Sequence, residues 1–277
     1  VESKFFRSLR NVYHFFTLYA NTDGIDPREY DVPVEKRPMI DRWIISKFNH
    51  LLAKVEEEMA AYELTQIVRS VSDFVTEDLS NWYIRRNRRR FWAKEDTEDK
   101  RAVYLTTYEL LVGLAKMMAP ITPFLAEEMY QNLVGGESVH LEDYPVANPA
   151  LYEDELEEKM ANVMTIVTLG RAAREKAGHK VRQALSKIIV DRKYEKSLED
   201  LTGLIREELN VREVAFEEDL THFIDYTLKP NFPVAGPKLG KSIGAFAKAL
   251  TQVEPKSFLA EVNAGGAKLE IAGEEHI

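Results

Sequence analysis

The run NWYIRRNRRRFW, residues 81–92, sets five arginines among four aromatic residues in a chain whose formal net charge is −9. Five guanidinium charges within six consecutive positions create a local field that carboxylates, solvent or a bound anion must balance. Upstream of it, Ile67, Val71, Phe74 and Trp82 recur at helical spacing, so the run reads as the end of an amphipathic helix starting near Leu64. At about 100° per residue, Arg85 and Arg89 continue the apolar stripe, while Arg86 and Arg90 fall to one side and Arg88 to the other. Arg85 and Arg89 are therefore expected to pack and pair with carboxylates such as Asp78, and Arg86, Arg88 and Arg90 to be free.

The neighbouring segments read as helices too. Phe5, Leu9, Val12, Phe16 and Tyr19 mark a first helix over residues 1–21, ended by the Gly24, Pro27, Pro33 and Pro38 punctuation. A second runs from about Met39 to Ala61 through Trp43, Ile44, Phe48, Leu51, Leu52 and Val55. Thr97 is suited to cap a fourth helix through Tyr104, Leu111, Leu114 and Met118, and Pro123 to open a short fifth one after Thr122. A long helix is expected over 151–176. Trp43, Phe48, Phe74, Leu111 and Met118 are the expected core.

After Gly178 the pattern changes. KIIVDR (187–192) and REVAFEE (212–218) are short β-rich runs around a helical SLEDLTGLIREELN, and FIDYTLKPNF, KSIGAFAKALTQV and AKLEIAG continue a mixed pattern. The expected fold is thus mainly α: a helical bundle over 1–180, then a small α/β subdomain over 181–277.

Composition limits the chemistry. Hydrophobic residues make up 45% and charged residues 30%, a balance that supports a buried core. With no cysteine, disulfides, thiolate metal sites and cysteine nucleophiles are excluded. The lack of cysteine suits a cytosolic protein, and no apolar run approaches a membrane span. The six histidines are scattered without ligand spacing, and HExxH, GxSxG and GxGxxG motifs are absent. GPKLGKS (236–242) imitates a phosphate loop but has three residues, not four, between glycine and the Gly-Lys pair, and is rejected. No active site, metal site or cofactor is expected. Both ends of the chain are abrupt, which suggests a piece of something longer.

Two readings of the arginine run stay open on residues alone: a paired and solvated charge cluster, or a surface for phosphates and unpaired bases. The six basic residues and no acid between 82 and 94 suit the second. A second basic concentration, GRAAREKAGHKVRQAL (170–185), is either a helix C-terminus complemented by cations or a further nucleic-acid contact.

DLSNWYIRRNRRRFW (78–92) closely resembles the anticodon-binding domain of isoleucyl-tRNA synthetases, in the class Ia synthetase family. LRNVYHFFTLYANTDG, DRWIISKFNHLL, MAPITPFLAEEMYQNL and SVHLEDYP resemble the same family in the same order. GHKVRQAL, ELNVREV and the YTLKPNF and LGKSIG stretches resemble its C-terminal extension, with Ala184 where proline is expected. The resemblance implies recognition of an isoleucine-specific tRNA through its anticodon, with Trp82, Arg86, Arg88, Arg90, Phe91, Trp92, Arg171, Arg174, Lys180 and Arg182 as contacts. The family's His-x-Gly-His and Lys-Met-Ser-Lys-Ser signatures and any editing domain are missing. Catalysis with ATP and Mg2+ is therefore expected of an upstream catalytic domain of the same polypeptide, and this chain alone should be inactive. The alternatives are a valyl or leucyl relative, or a helical protein-interaction module.

Overall fold

The computed structural model describes residues 2–220, 223, 227–266, 269–271 and 274–276. Their contacts divide into two compact units, 1–184 with 197–211, and 185–196 with 212–277. The expected single cut near residue 180 thus differs at one segment, 197–211, which groups with the helical unit.

In the first unit, a π-helical turn at Glu2–Phe6 leads into α1 (Arg7–Asp23), which ends on Gly24 in the left-handed conformation, its N–H returned to the Ala20 carbonyl. The proline-rich loop that follows is tied down by Arg37. Its buried guanidinium donates to the Val32 carbonyl at 2.8 Å and to both Glu109 oxygens at 2.6 and 2.9 Å. Then come α2 (Met39–Ala60), α3 (Leu64–Asp73), a π-helical segment (Phe74–Ile84) and α4 (Arg85–Phe91). Thr97 caps α5 (Glu98–Met118), its hydroxyl accepting the Lys100 N–H, and Pro123 opens α6 (Pro123–Leu133). After α7 (Asp154–Lys176) and a strand of the other unit, α8 (Glu195–Leu198) and α9 (Thr202–Leu209) follow, and α9 packs on α7. The fold is mainly α, as the spacing predicts.

The core of this unit is aromatic. Trp43, Phe48, Phe74, Leu111 and Met118 are all buried, as expected. Phe91 sits edge-on to Phe15 at 5.0 Å and to Tyr104 at 4.8 Å, joining α4 to α1 and α5. Gly113 of α5 lies so close to the Phe48 ring that a Cβ there would stand 2.6 Å from it, which lets α2 and α5 approach.

The second unit contains β1 (Leu185–Asp191) and β2 (Val211–Glu217), paired in parallel, as strands joined through a helical crossover can be. It continues with α10 (Phe232–Leu239), α11 (Ile243–Leu250), α12 (Pro255–Asn263) and an antiparallel pair, β3 (Leu269–Ile271) with β4 (Glu274–His276). Leu250 and Leu269 are its centre, packed by Leu228, Leu239, Phe246 and Phe258. Part of the expected FIDYTLKPNF run, 224–226, lies outside the described residues. GPKLGKS forms the last turn of α10 and the step into α11, and residues 227–231 before α10 are irregular. A phosphate loop needs a strand there.

Candidate nucleic-acid interface

The π segment decides which arginines face where. Over eleven residues its backbone closes i→i+5 bonds, the Arg85 N–H still reaching the Ser80 carbonyl. Each such turn takes roughly one residue more than an α turn, so the buried stripe comes round by roughly half a turn before α4 begins. Asn87 and Phe91, not Arg85 and Arg89, therefore point inward, and both are buried. The expected division of the arginines is corrected accordingly. Arg89 is exposed and, among the described residues, makes no ion pair. Arg86 and Arg90, expected to be free, are enclosed and paired, and Arg85 is paired but well exposed.

Arg90 donates through both Nη atoms to the two oxygens of fully buried Asp41, at 2.6 and 2.7 Å. Its Nε meets Asp99 at 3.0 Å, and the Tyr83 hydroxyl donates to the same Asp41 at 2.8 Å. Although burial works against its charge, the carboxylate beside it holds the Arg90 guanidinium well above the usual arginine range. Burial pushes the Tyr83 phenol up, and the Asp41 charge adds to the effect.

Arg86 lies over the Trp82 ring at 5.5 Å. Its Nη1 donates to Glu208 at 2.5 Å and its Nη2 to Glu207 at 2.7 Å, both on α9. Arg85 reaches the same Glu208 at 2.7 Å, and Arg171 of α7 bonds it too. Asp78, the partner expected for the stripe arginines, instead sits 3.7 Å from Lys47. Burial pushes the Asp78 carboxyl up to about 6, against the pull of that lysine.

Arg174 is likewise an internal residue. Its Nη2 donates to the carbonyls of Lys180, Val181 and Gln183, while Asn210 Nδ2 donates to those of Val181 and Arg182 at 3.1 Å. The loop after α7 is thus held by its carbonyls. The Lys180, Val181 and Arg182 side chains are left exposed.

Of the ten expected contacts, Trp82, Phe91, Arg86, Arg90 and Arg174 therefore need correction: they are enclosed, and their rings or charges are committed to the protein. Arg88, Trp92, Arg171, Lys180 and Arg182 are exposed. Trp92 is 52% exposed with Tyr19 beside it at 6.3 Å, and Arg88 lies over Phe15 at 5.9 Å. The two basic stretches read separately in the sequence meet at Glu208. That carboxylate was missed because nothing local to either stretch points to a partner 122 residues from Arg86 and 37 from Arg171. Among the described residues, no group of three or more His, Asp or Glu side chains is placed to hold a metal ion, and no helix is long and apolar enough to cross a membrane.

An exposed tryptophan and arginines at one helix end, with a second basic loop held by its own carbonyls, is an arrangement able to stack a base and grip phosphates. Residues 41–189, from the first turn of α2 into β1, match the family described as the anticodon-binding domain of tRNA ligase. The chain belongs to that family. This anticodon-binding domain is 40% identical over 277 residues to the isoleucine–tRNA ligase of Porphyromonas gingivalis, covering 99% of the chain and 24% of that protein. It is 42% identical to the isoleucine–tRNA ligases of Thermus thermophilus and Clostridium novyi, covering 98% and 95% of the chain and 27% and 26% of those proteins. The chain spans about a quarter of the length of the curated relatives it matches.

Proposed function

We propose that this chain recognises the anticodon region of an isoleucine-specific tRNA on behalf of a longer isoleucine–tRNA ligase. The observation that carries this reading is the exposed end of α4, where Trp92 is half in solvent and Arg88, among the described residues, makes no ion pair, inside a domain of the anticodon-binding family. An indole half in solvent offers a face for an unpaired base, and the exposed guanidinium of Arg88, one helical turn earlier, offers a fork for a phosphate. Lys180 and Arg182, on the loop held by Arg174 and Asn210, add positive charge where an RNA strand could continue. Amino-acid attachment, with its ATP and Mg2+, would belong to the catalytic domain of the longer polypeptide, which would act in the cytosol. This domain supplies recognition and makes no bond.

The test is binding of the 277-residue chain to isoleucine tRNA and to the same tRNA with its anticodon exchanged. The reading requires tighter binding of the first. Equal binding of both, or tighter binding of a valine or leucine tRNA, would overturn it.

A further inference from the structure

Glu208 is an unusual carboxylate because three guanidinium groups share it. Its Oε2 accepts from Arg85 Nη2 at 2.7 Å and from Arg171 Nη2, and its Oε1 accepts from Arg86 Nη1 at 2.5 Å. Arg86 donates a further bond to Glu207, so three positive charges face two negative ones and the cluster keeps a surplus positive charge. The Arg86 side chain is 8% exposed and Glu208 5%, and the buried Arg86 Nε has no partner among the described residues. Arg85 and Arg171 differ in being well exposed, at 39% and 43%.

Two guanidiniums bonded to one oxygen stand side by side despite their repulsion. The Arg85 Nε is used by the Asn81 carbonyl at 2.7 Å, while Arg85 Nη1 and the Nε and Nη1 of Arg171 have no partner among the described residues. The pair therefore presents spare donors to solvent, fixed from beneath by a buried anion. A phosphodiester carries two non-bridging oxygens and matches adjacent guanidinium forks better than a single lysine would.

We propose that Arg85 and Arg171, bridged by Glu208, form one clamp for a single backbone phosphate of the bound tRNA, with Glu208 as its positioning residue. Burial pushes the Glu208 carboxyl up, but Arg85 and Arg86 outweigh that and hold it below the usual glutamate range, so it stays ionised at neutral pH. The clamp rests on the tRNA-binding reading above. It adds that residues of α4 and α7 grip the same phosphate.

The experiment measures tRNA affinity against salt concentration for the parent chain, Arg85→Gln, Arg171→Gln, the double variant and Glu208→Gln, with a melting curve for each. Each arginine variant should bind roughly tenfold more weakly and lose about 0.7–0.9 from the slope of log affinity against log salt. The double variant should lose no more slope than either single one, because the lost phosphate is the same. Glu208→Gln removes a negative charge, which by overall attraction would tighten binding. A clamp held by Glu208 predicts weaker binding instead. A double variant that loses twice the slope of either single, or arginine variants that bind like the parent, would overturn the clamp. If Glu208→Gln melts too low to assay, the arginine pair still decides. A parent chain that binds isoleucine tRNA and its anticodon-exchanged form equally defeats the anticodon reading and leaves the clamp to these slopes. A parent chain that binds no tRNA defeats both.

Discussion

Arg90 and Asp41 form a two-pronged ion pair at 2.6 and 2.7 Å, with the carboxylate fully enclosed and the guanidinium nearly so. The pair ties α4 to the first turn of α2, where the free N–H groups of the helix also favour a negative charge. Removing one member strands the other without water. Arg90→Gln and Asp41→Asn should each cost roughly 3–5 kcal/mol in denaturant unfolding. The double variant should cost clearly less than the two together, since it strands no charge. A single variant of parent stability would show that the pair is dispensable.

Much of this architecture can be read from local spacing. Leu9, Val12 and Phe16 announce the buried face of α1, and Thr97 and Pro123 mark helix starts at the positions where the structure has them. What local spacing cannot carry is phase through a π segment. Nothing in FVTEDLSNWYI distinguishes i→i+5 from i→i+4 bonding, so the arginines beyond it were assigned to the wrong faces. Nor can it carry partners set by tertiary approach. Asp41 lies 49 residues from Arg90, and Glu208 lies 122 from Arg86. The spacing therefore could not separate the exposed residues, Arg88, Trp92, Arg171, Lys180 and Arg182, from the enclosed ones beside them.

Gly113 gives a test of the helix packing. A methyl group there would meet the Phe48 ring at 2.6 Å, and Phe48 is itself packed against Phe74. Alanine ordinarily favours a helix over glycine by about 1 kcal/mol, so an unpacked site would gain stability. Here overpacking should win, and Gly113→Ala should lose roughly 1–3 kcal/mol by thermal or denaturant unfolding. A stabilised variant would mean that the Phe48 ring swings aside at little cost.

Asp78 should leave a mark on the pH dependence. Its folded carboxyl is pushed up to about 6 from an ordinary 3.8, so the folded chain holds a proton that the unfolded chain has released. Its contribution to stability is present below about 4 and is lost as pH rises through 6. Glu208 acts in the opposite sense: its folded carboxyl is lowered, so its contribution is lost as pH falls below the ordinary glutamate range. Between about pH 4.5 and 6.5 the Asp78 effect should therefore be separable. Asp78→Asn should flatten that part of the melting profile and raise stability at pH 7 by roughly 1–3 kcal/mol, less whatever the Lys47 pair contributes. An unchanged slope between pH 4.5 and 6.5 would assign the proton elsewhere.

The last prediction separates recognition from architecture on a single helix. Trp92 and Arg86 are six residues apart on α4 and its end, one half in solvent, the other enclosed between Trp82 and two glutamates. Trp92→Ala removes a stacking face whose loss is worth about 1–3 kcal/mol of affinity per base, or roughly five- to 150-fold in Kd. Its effect on stability should stay within about 1 kcal/mol, because half of the side chain is already in solvent. Arg88→Gln should likewise spare stability and lower the salt slope of tRNA binding by about 0.7–0.9. Arg86→Ala should do the reverse, stranding Glu208 among fewer partners and lowering the melting temperature. Measured together, the three variants place the RNA-facing side of α4. If Trp92→Ala and Arg88→Gln both bind isoleucine tRNA like the parent chain, the exposed end of this helix is not where the anticodon loop lies. The basic loop at Lys180 and Arg182 would then have to carry recognition without it.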